Sequence, residues 1–266
     1  MIVNWNSGDR LKACLQSLPL DATVVVVDNA SEDDSLARAR QARPSTTFIA
    51  NAENRGLAPA LNQGIAATTL KYVLVLNPDV TVPAGSAELL ELTLDNNARA
   101  GAVGGYVNEK YLPRALATPW TVIRENLGVP AAAASGENVG QAAAAALLVR
   151  REAYNAVGGF DERFVPAWYE DVDFCKCLHA AGWEVLFTGR AEFVHEGGYG
   201  ARRLGATAFT AAYYRNQLRY IQKHFSGAAG FAVRFSIVLG MTARMLYFPS
   251  RSDACWTAIA GALGGW

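Results

Sequence analysis

The sequence predicts an α/β fold built on a doubly wound, mostly parallel sheet with right-handed crossovers. Strand-like and helix-like segments alternate through the first hundred residues, the order that yields parallel strands joined by helices. One strand-like run, "TVVVVD" (Thr23–Asp28), is continuously β-branched, as expected for a strand buried on both faces. Three successive strand ends carry Asn or Asp: Asn4-Trp5-Asn6, Asp28-Asn29 and Asn77-Pro78-Asp79. In open sheets of this kind, ligands bind beyond the carboxyl ends of the strands.

The elements read in order as follows. "MIVNWN" is a short strand. "SGDRLKACLQSLP" places Leu11, Leu15 and Leu18 at helical spacing and stops at Pro19. "SEDDSLARARQAR" opens with Ser31 and has Asp34 three residues on, a capping-box pattern that starts a helix. "TTFIA" is a strand, "LAPALNQGIAAT" a helix with Leu57, Leu61 and Ile65 on one face, "YVLVL" a strand and "GSAELLELTLDNN" a helix. From about Gly101 to Ala146 the pattern is weak, and "PAAAASGENVGQAAAAA" reads as a loop with mobility. Order returns with a turn at Gly158-Gly159, a helix in "DVDFCKCLHAAG" closed by Gly182, and a strand in "WEVLF". "TAFTAAYYRNQLRYIQKHF" is a helix with interleaved basic and aromatic residues.

Asn77-Pro78-Asp79 ends a buried strand on a carboxylate, which is costly unless paired. Two readings stand: a turn, since all three are turn formers, or a ligand for metal or substrate. Three polar strand ends in register favour a shared ligand rim. No G-x-G-x-x-G follows the first strand and no G-x-x-x-x-G-K-[ST] occurs, so the dinucleotide and P-loop signatures are absent.

Of 266 residues, 51% are hydrophobic and 18% charged, which supports a sizeable core and opposes global disorder. Lys+Arg and Asp+Glu are each 24, so net charge gives no case for a nucleic-acid partner. Cys14, Cys175, Cys177 and Cys255 form no C-x-x-C pair, and their sparse use suits a reducing compartment. "MIVNWN" offers no secretory signal, so a cytoplasmic location is expected.

Near the C-terminus, Ala228–Phe248 is mostly apolar but contains Arg234 and Arg244. An arginine near a bilayer centre costs about 2.5–3.5 kcal/mol on insertion scales, which argues against a spanning helix. Two readings stand: an interfacial helix whose arginines reach lipid headgroups, or a helix packed on the domain or an oligomeric partner.

"IVNWNSGDRLKACLQSL", "VVVVDNASEDDS", "NAENRGLAPALNQGI", "VLVLNPDV", "GGFDERFVPAWYEDVDFCKCLHAAGWEVLF" and "VHEGG" together resemble, in this order, the family 2 glycosyltransferases, in their bacterial rhamnosyltransferase-like branch. The resemblance spans about residues 2–198 and extends more weakly to the helix at 213–225. It implies a GT-A fold over residues 1–204, with a nucleotide-sugar half of about 1–105 and an acceptor half of about 106–204. Residues 205–266 then form a C-terminal helical region, expected to associate with membrane. The resemblance further implies inverting transfer from a nucleotide-diphospho-sugar, most simply dTDP-rhamnose, to a glycan or lipid-linked glycan at the inner face of the cell membrane, with Mg²⁺ or Mn²⁺.

Carried over by position, the resemblance puts Asp28 and Asn29 at the base and ribose, with Val3, Asn4 and Asn6 lining the same pocket. Asn54, Gly56 and Asn62 match the element that closes over the nucleotide. Asn77 and Asp79 stand at the DXD position, Asp79 as metal ligand and Asn77 as a neutral replacement for the first Asp. His195 matches a second metal or diphosphate ligand; the alternative is a satisfied, partly buried histidine. "WYEDVD" puts the catalytic base at Asp171, with Glu170 orienting the acceptor or tuning that base. The alternative for Asp171 is a helix N-terminal charge. Trp168 and Tyr169 read as an acceptor platform or as core. Asp171-x-Asp173 is a rival metal site, opposed by its place on a helix, where residues two apart do not face each other. Ala144 stands where the family often has Gly before "ALLVRR".

Overall fold

A computed structural model describes residues 1–266. The elements run β1 (Ile2–Asn4), α1 (Arg10–Ser17), β2 (Val25–Asp28), α2 (Ser35–Ala42), β3 (Thr47–Ala50), α3 (Leu57–Ala66), β4 (Tyr72–Leu76), β5 (Val80–Thr81) and α4 (Ser86–Asp95). They continue with β6 (Ala100–Tyr106), α5 (Pro119–Asn126), β7 (Asn138–Val139), β8 (Ala146–Arg150), α6 (Arg151–Val157), α7 (Glu170–Ala180), β9 (Glu184–Glu192) and β10 (Val194–His195). Four helices close the chain: α8 (Tyr199–Leu204), α9 (Ala206–His224), α10 (Gly227–Tyr247) and α11 (Ser252–Gly264).

Eight strands form one mixed sheet in the order β3-β2-β1-β4-β8-β6-β9-β7. β3, β2, β1 and β4 are parallel, and β6 is parallel to β9, whereas β8 runs antiparallel to both β4 and β6. The β-branched run is buried on both faces: Val27 packs with α3 and α7, while Val24 and Val26 pack with α1 and α2. β5 and β10 pair as a separate two-stranded ladder, Val80 opposite His195. A third apolar cluster joins α5, α9, α10 and α11 to Phe164 and Tyr169.

Three expectations change. The capping box is not formed: α2 begins at Ser35 after Asp34, and Ser31 instead hydrogen-bonds within the strand-end rim, its hydroxyl donating to Asp28 Oδ1 at 2.6 Å. The weakly patterned stretch holds the fully interior strand β6, helix α5 with a Thr118–Thr121 capping box, and β7. Within the Ala-rich part, Arg114 bridges to Ala133 and Gln141. Finally, the arginines of α10 do not reach outward. Arg234 donates to the Ala262 carbonyl at 2.8 Å, and Arg244 to the Glu125 carbonyl at 3.4 Å and the Tyr214 hydroxyl at 3.5 Å. Each reaches a carbonyl in the closing turn of a neighbouring helix, where carbonyls lack a full set of intrahelical partners.

Candidate active site

The strand-end rim is a hydrogen-bonded frame. Asn4 is fully buried, and its amide donates to Asp28 Oδ1 (2.6 Å), Ser31 Oγ (3.1 Å) and Ser35 Oγ (2.9 Å). Asn6 Oδ1 accepts from the backbone N–H groups of Glu32 (2.7 Å) and Asp33 (3.2 Å). Asn29 donates to the Gly56 carbonyl at 2.9 Å, so the ends of β1 and β2 are tied to the loop before α3. Val3 lies in the core beneath this frame. Asn54 is exposed and accepts from the Gly56 N–H at 3.0 Å. Gly56 has φ +90°, and a Cβ there would stand 2.9 Å from Val165 Cγ1. Glycine is needed for both reasons, and the closeness lets the Leu57 N–H donate to Pro166 O at 2.7 Å. Asn62 is taken up elsewhere: its amide donates to Phe160 O and Glu162, and its Oδ1 accepts from Tyr154 and the Phe160 N–H. It pins the Gly158-Gly159 turn to α3.

Beyond this frame lies a cleft of about 590 Å³ lined by Trp5, Asn6, Arg10, Glu32, Tyr199, Arg202 and Arg203. Arg10 pairs with Glu196 at 2.7 Å and lies over the Tyr199 ring, whose hydroxyl donates to the Asn6 carbonyl. Arg202 and Arg203 have no carboxylate within ion-pair distance, and with Arg10 they outnumber Glu32 and Glu196, so the cleft is net positive and suited to an anion. Sequence reading missed these residues. The available signal was "ARRL" closely following "VHEGG".

The turn at Asn77-Pro78-Asp79 is real, with the Val80 N–H donating to Asn77 O at 3.2 Å. It is also more than a turn. The β5–β10 ladder brings His195 Nε2 to 3.1 Å from Asp79 Oδ1, with the two side chains only 1% and 6% exposed. Asn77 Nδ2 lies 3.4 Å from the same ring nitrogen. Burial works to raise the Asp79 carboxyl, but the hydrogen bond and charge of His195 outweigh it and hold the carboxyl below its ordinary value. The other ring nitrogen, Nδ1, is buried and has no partner. Asp79 Oδ1 and His195 Nε2, two donor atoms 3.1 Å apart on buried side chains, form an oxygen–nitrogen pair suited to a divalent cation.

Asp171 opens α7 and is only partly exposed. Its Oδ1 accepts from the Val172 N–H at 2.8 Å and its Oδ2 from the Ala144 N–H at 3.2 Å. Ala144 therefore presents its backbone to the base without needing to be glycine. Burial pushes the Asp171 carboxyl up, opposed by these N–H groups and by Arg114. Glu170 is buried with Oε2 unpartnered; burial and then the charge of Asp171 raise its pKa well above the ordinary range. Tyr111, also missed in the sequence, links the two sides. Its ring centroid is 5.1 Å from that of His195, and its phenol is pushed up by burial and then by the charges of Asp79 and Asp171.

Asp173 faces away from Asp171. Its carboxylate contacts Lys223 Nζ and His224 Nε2, each at 2.7 Å. Asp173, Cys177 and His224 come together closely enough for a metal ion, but Lys223 already supplies the compensating charge there. The rival D-x-D reading thus lacks a shared focus. Tyr169 faces the helical region, its hydroxyl accepting from Gln217 Nε2 at 3.0 Å and its ring against Tyr213 and Tyr220. Trp168 remains partly exposed, edge-on to Phe209 at 4.7 Å.

Trp168 and Tyr169 both have φ +73°, a conformation costing roughly 1–3 kcal/mol per non-glycine residue and often found beside active sites. Helix α9 holds it. The Asn216 amide donates to the carbonyls of Val165 (3.3 Å), Ala167 (2.9 Å) and Trp168 (3.0 Å), and Arg215 donates to Val165 O at 2.7 Å.

Comparison with known proteins agrees with this geometry. The family model described as Glycosyl transferase family 2 matches residues 1–158. An N-acetylglucosaminyl-diphospho-decaprenol L-rhamnosyltransferase from Mycobacterium tuberculosis is 28% identical over 263 residues, covering 85% of this chain and 84% of its own length. Among solved structures, the mannosyltransferase PcManGT from Pyrobaculum calidifontis, in complex with GDP-Man and Mn²⁺, superposes with a TM-score of 0.62 at 17% identity, covering 98% of this chain and 85% of the other. GalNAc-T7 with UDP, GalNAc and Mn²⁺ gives a TM-score of 0.63 at 14% identity over 99% of this chain and 55% of the other. The fold is GT-A.

Proposed function

The chain belongs to glycosyl transferase family 2, and from that premise we propose that it transfers a sugar with inversion from a nucleotide-diphospho-sugar to a lipid-linked glycan. The observation that carries the reading is the meeting of Asp79 and His195 at 3.1 Å on the rim of the parallel strands. In this reading the strand-end frame at Asp28 and Asn29 receives the nucleoside, and the halves of the catalytic domain divide near residue 105. Arg202 and Arg203 offset diphosphate charge. Asp79 and His195 would hold a divalent cation, which when bound stabilises the charge developing on the leaving diphosphate.

Asp171 accepts the proton of the acceptor hydroxyl as that oxygen bonds to the anomeric carbon and the bond from that carbon to the diphosphate oxygen breaks. Its raised pKa makes it a better base than an ordinary aspartate. Glu170, buried with Oε2 unpartnered, has its pKa raised well above the ordinary range by burial and then by the charge of Asp171, which favours its neutral form beside the base. The backbone N–H groups of Ala144 and Val172 hold the carboxylate in place.

The rhamnosyltransferase relative supports dTDP-rhamnose as donor and a polyprenyl diphosphate-linked N-acetylglucosamine as acceptor, used at the inner face of the membrane. The test is transfer to that acceptor, with Mn²⁺, from dTDP-rhamnose, UDP-galactofuranose, GDP-mannose and a UDP-N-acetylhexosamine. Rhamnose transfer is expected. Transfer of another sugar would move the donor assignment, and binding without hydrolysis or transfer from any donor would make the chain a sugar-nucleotide-binding scaffold.

A further inference from the structure

We propose that the outward face of α10 and α11 seats on a lipid bilayer through apolar contact, with no contribution from the arginines of α10. Helix α10 is 21 residues long, about 30 Å. Phe231, Phe235, Leu239 and Leu246 follow one another along its outer side and are between 46% and 78% exposed. Apart from Arg234 and Arg244 the helix has no charged residue, and both arginines turn inward onto carbonyls of α11 and α5. The outer side is therefore free of charge from Gly227 to Tyr247. Exposed Trp256 and Leu263 of α11 extend the surface, and Tyr247, Phe248 and Trp266 add aromatic rings at its margins, where a membrane interface favours them. Asp253 is the one acidic residue of α11; Arg124 and Arg251 are exposed and have no ion-pair partner.

The helix is long and apolar enough to cross a membrane, yet its inner side is built into the protein. Ser236 accepts from the Asn126 amide at 3.0 Å, and a Cβ on Gly240 would stand 2.0 Å from the Asn126 carbonyl. A spanning helix would give up these contacts and expose two arginines to lipid. Lying in the interface keeps them and buries only the apolar side.

Position on the molecule favours lipid over a second copy of the chain. Exposed Leu127 and Val129 follow Asn126 directly and carry the apolar surface around the end of α5. Glu125, in the last turn of α5, lies 3.6 Å from Arg114, which bridges to Gln141 just ahead of Ala144, whose N–H donates to Asp171. The apolar surface thus borders the side on which the base opens. A polyprenyl-linked acceptor, the substrate class of the proposed function on which this inference rests, would keep its chain in the bilayer while its sugar reached Asp171.

The test uses the full chain in flotation with phosphatidylcholine vesicles and with mixed phosphatidylcholine–phosphatidylglycerol vesicles, at low and high salt. Flotation with both, little changed by salt, is expected. Replacing Phe231, Phe235 and Leu239 by Ser should weaken it at least tenfold while nucleotide binding stays within twofold. Brominated lipid should quench tryptophan fluorescence in the wild type and less in Trp256→Phe, a readout that does not depend on the triple variant folding. Absence of flotation, binding only to anionic vesicles that salt removes, or quenching unchanged in Trp256→Phe would overturn the proposal. So would a lipid-free dimer that the triple substitution dissociates, since a second copy would then occupy the face. Flotation with no nucleotide binding would instead sink the transferase reading and leave the surface assignment standing.

Discussion

Glu170 and Asp171 are adjacent carboxylates with different partners, and their chemistry follows from that. Asp171 has two backbone N–H donors and Glu170 Oε2 has none, so burial disfavours the charged form of Glu170 more than that of Asp171. Asp171→Asn should therefore lower transfer by about 10²–10⁴-fold, the usual worth of a general base, while leaving donor affinity unchanged. The acid limb of kcat against pH should lie above the ordinary aspartate value of about 3.9, because the base must be ionised and burial raises its pKa. Glu170 affects stability with the opposite sign to a salt-bridged acid. Its folded pKa is raised, so its favourable contribution is complete below the unfolded value of about 4.3 and is lost as pH rises through the folded value. Glu170→Gln should remove that decline and raise Tm at pH 8 relative to wild type; a melting series across pH checks it, and an unchanged slope would contradict the buried-acid account. Asp79 stood out in the sequence as a carboxylate ending a buried strand, whereas Asp171 was singled out only through the resemblance, its local pattern reading equally as a helix N-terminal charge. The Asn62 and Tyr169 contacts were not legible, because their partners, Phe160 and Gln217, are distant in the chain.

Helix α9 shows what an element adds to those residues. Asn216 and Arg215 fix the Val165–Trp168 backbone, while Gln217, Lys223 and His224 hold Tyr169 and Asp173 on either side of the catalytic pair. Asn216→Ala leaves buried carbonyls without a donor and should cost about 1–3 kcal/mol. It should lower kcat more than it raises the KM for donor, measured by steady-state kinetics with stability followed by denaturant titration; a pure KM effect would show that the loop does not depend on α9. Other elements explain why parts of the fold were illegible. Strand β6, "AGAVGGY", lacks the β-branched signal because its neighbours occupy the space side chains would fill. A Cβ at Gly104 would meet Ala142 Cβ at 2.7 Å, and one at Gly105 would meet Phe193 at 2.4 Å. Helix α11 is similarly rich in Ala and Gly and carries no strong periodic pattern. The alternation of the first hundred residues, by contrast, was readable in type and order, since most strands and helices there bury an apolar pattern of their own.

Across the whole molecule, the proposed function takes the donor rim from the ends of β1, β2 and β4 on one sheet and the base from the segment between β8 and β9. The C-terminal helices hold that segment from behind and present an apolar face outward. In that proposal the two carboxylates are separable: Asp79 acts on the donor side with His195, and Asp171 on the acceptor side. The central claim is that division. Thermal shift with dTDP, UDP and GDP, each with and without Mn²⁺, on wild type, Asp79→Ala and Asp171→Asn tests it most directly. The account predicts Mn²⁺-dependent stabilisation by at least one nucleotide in wild type and in Asp171→Asn, and its loss in Asp79→Ala. Stabilisation retained by Asp79→Ala and abolished by Asp171→Asn would contradict it.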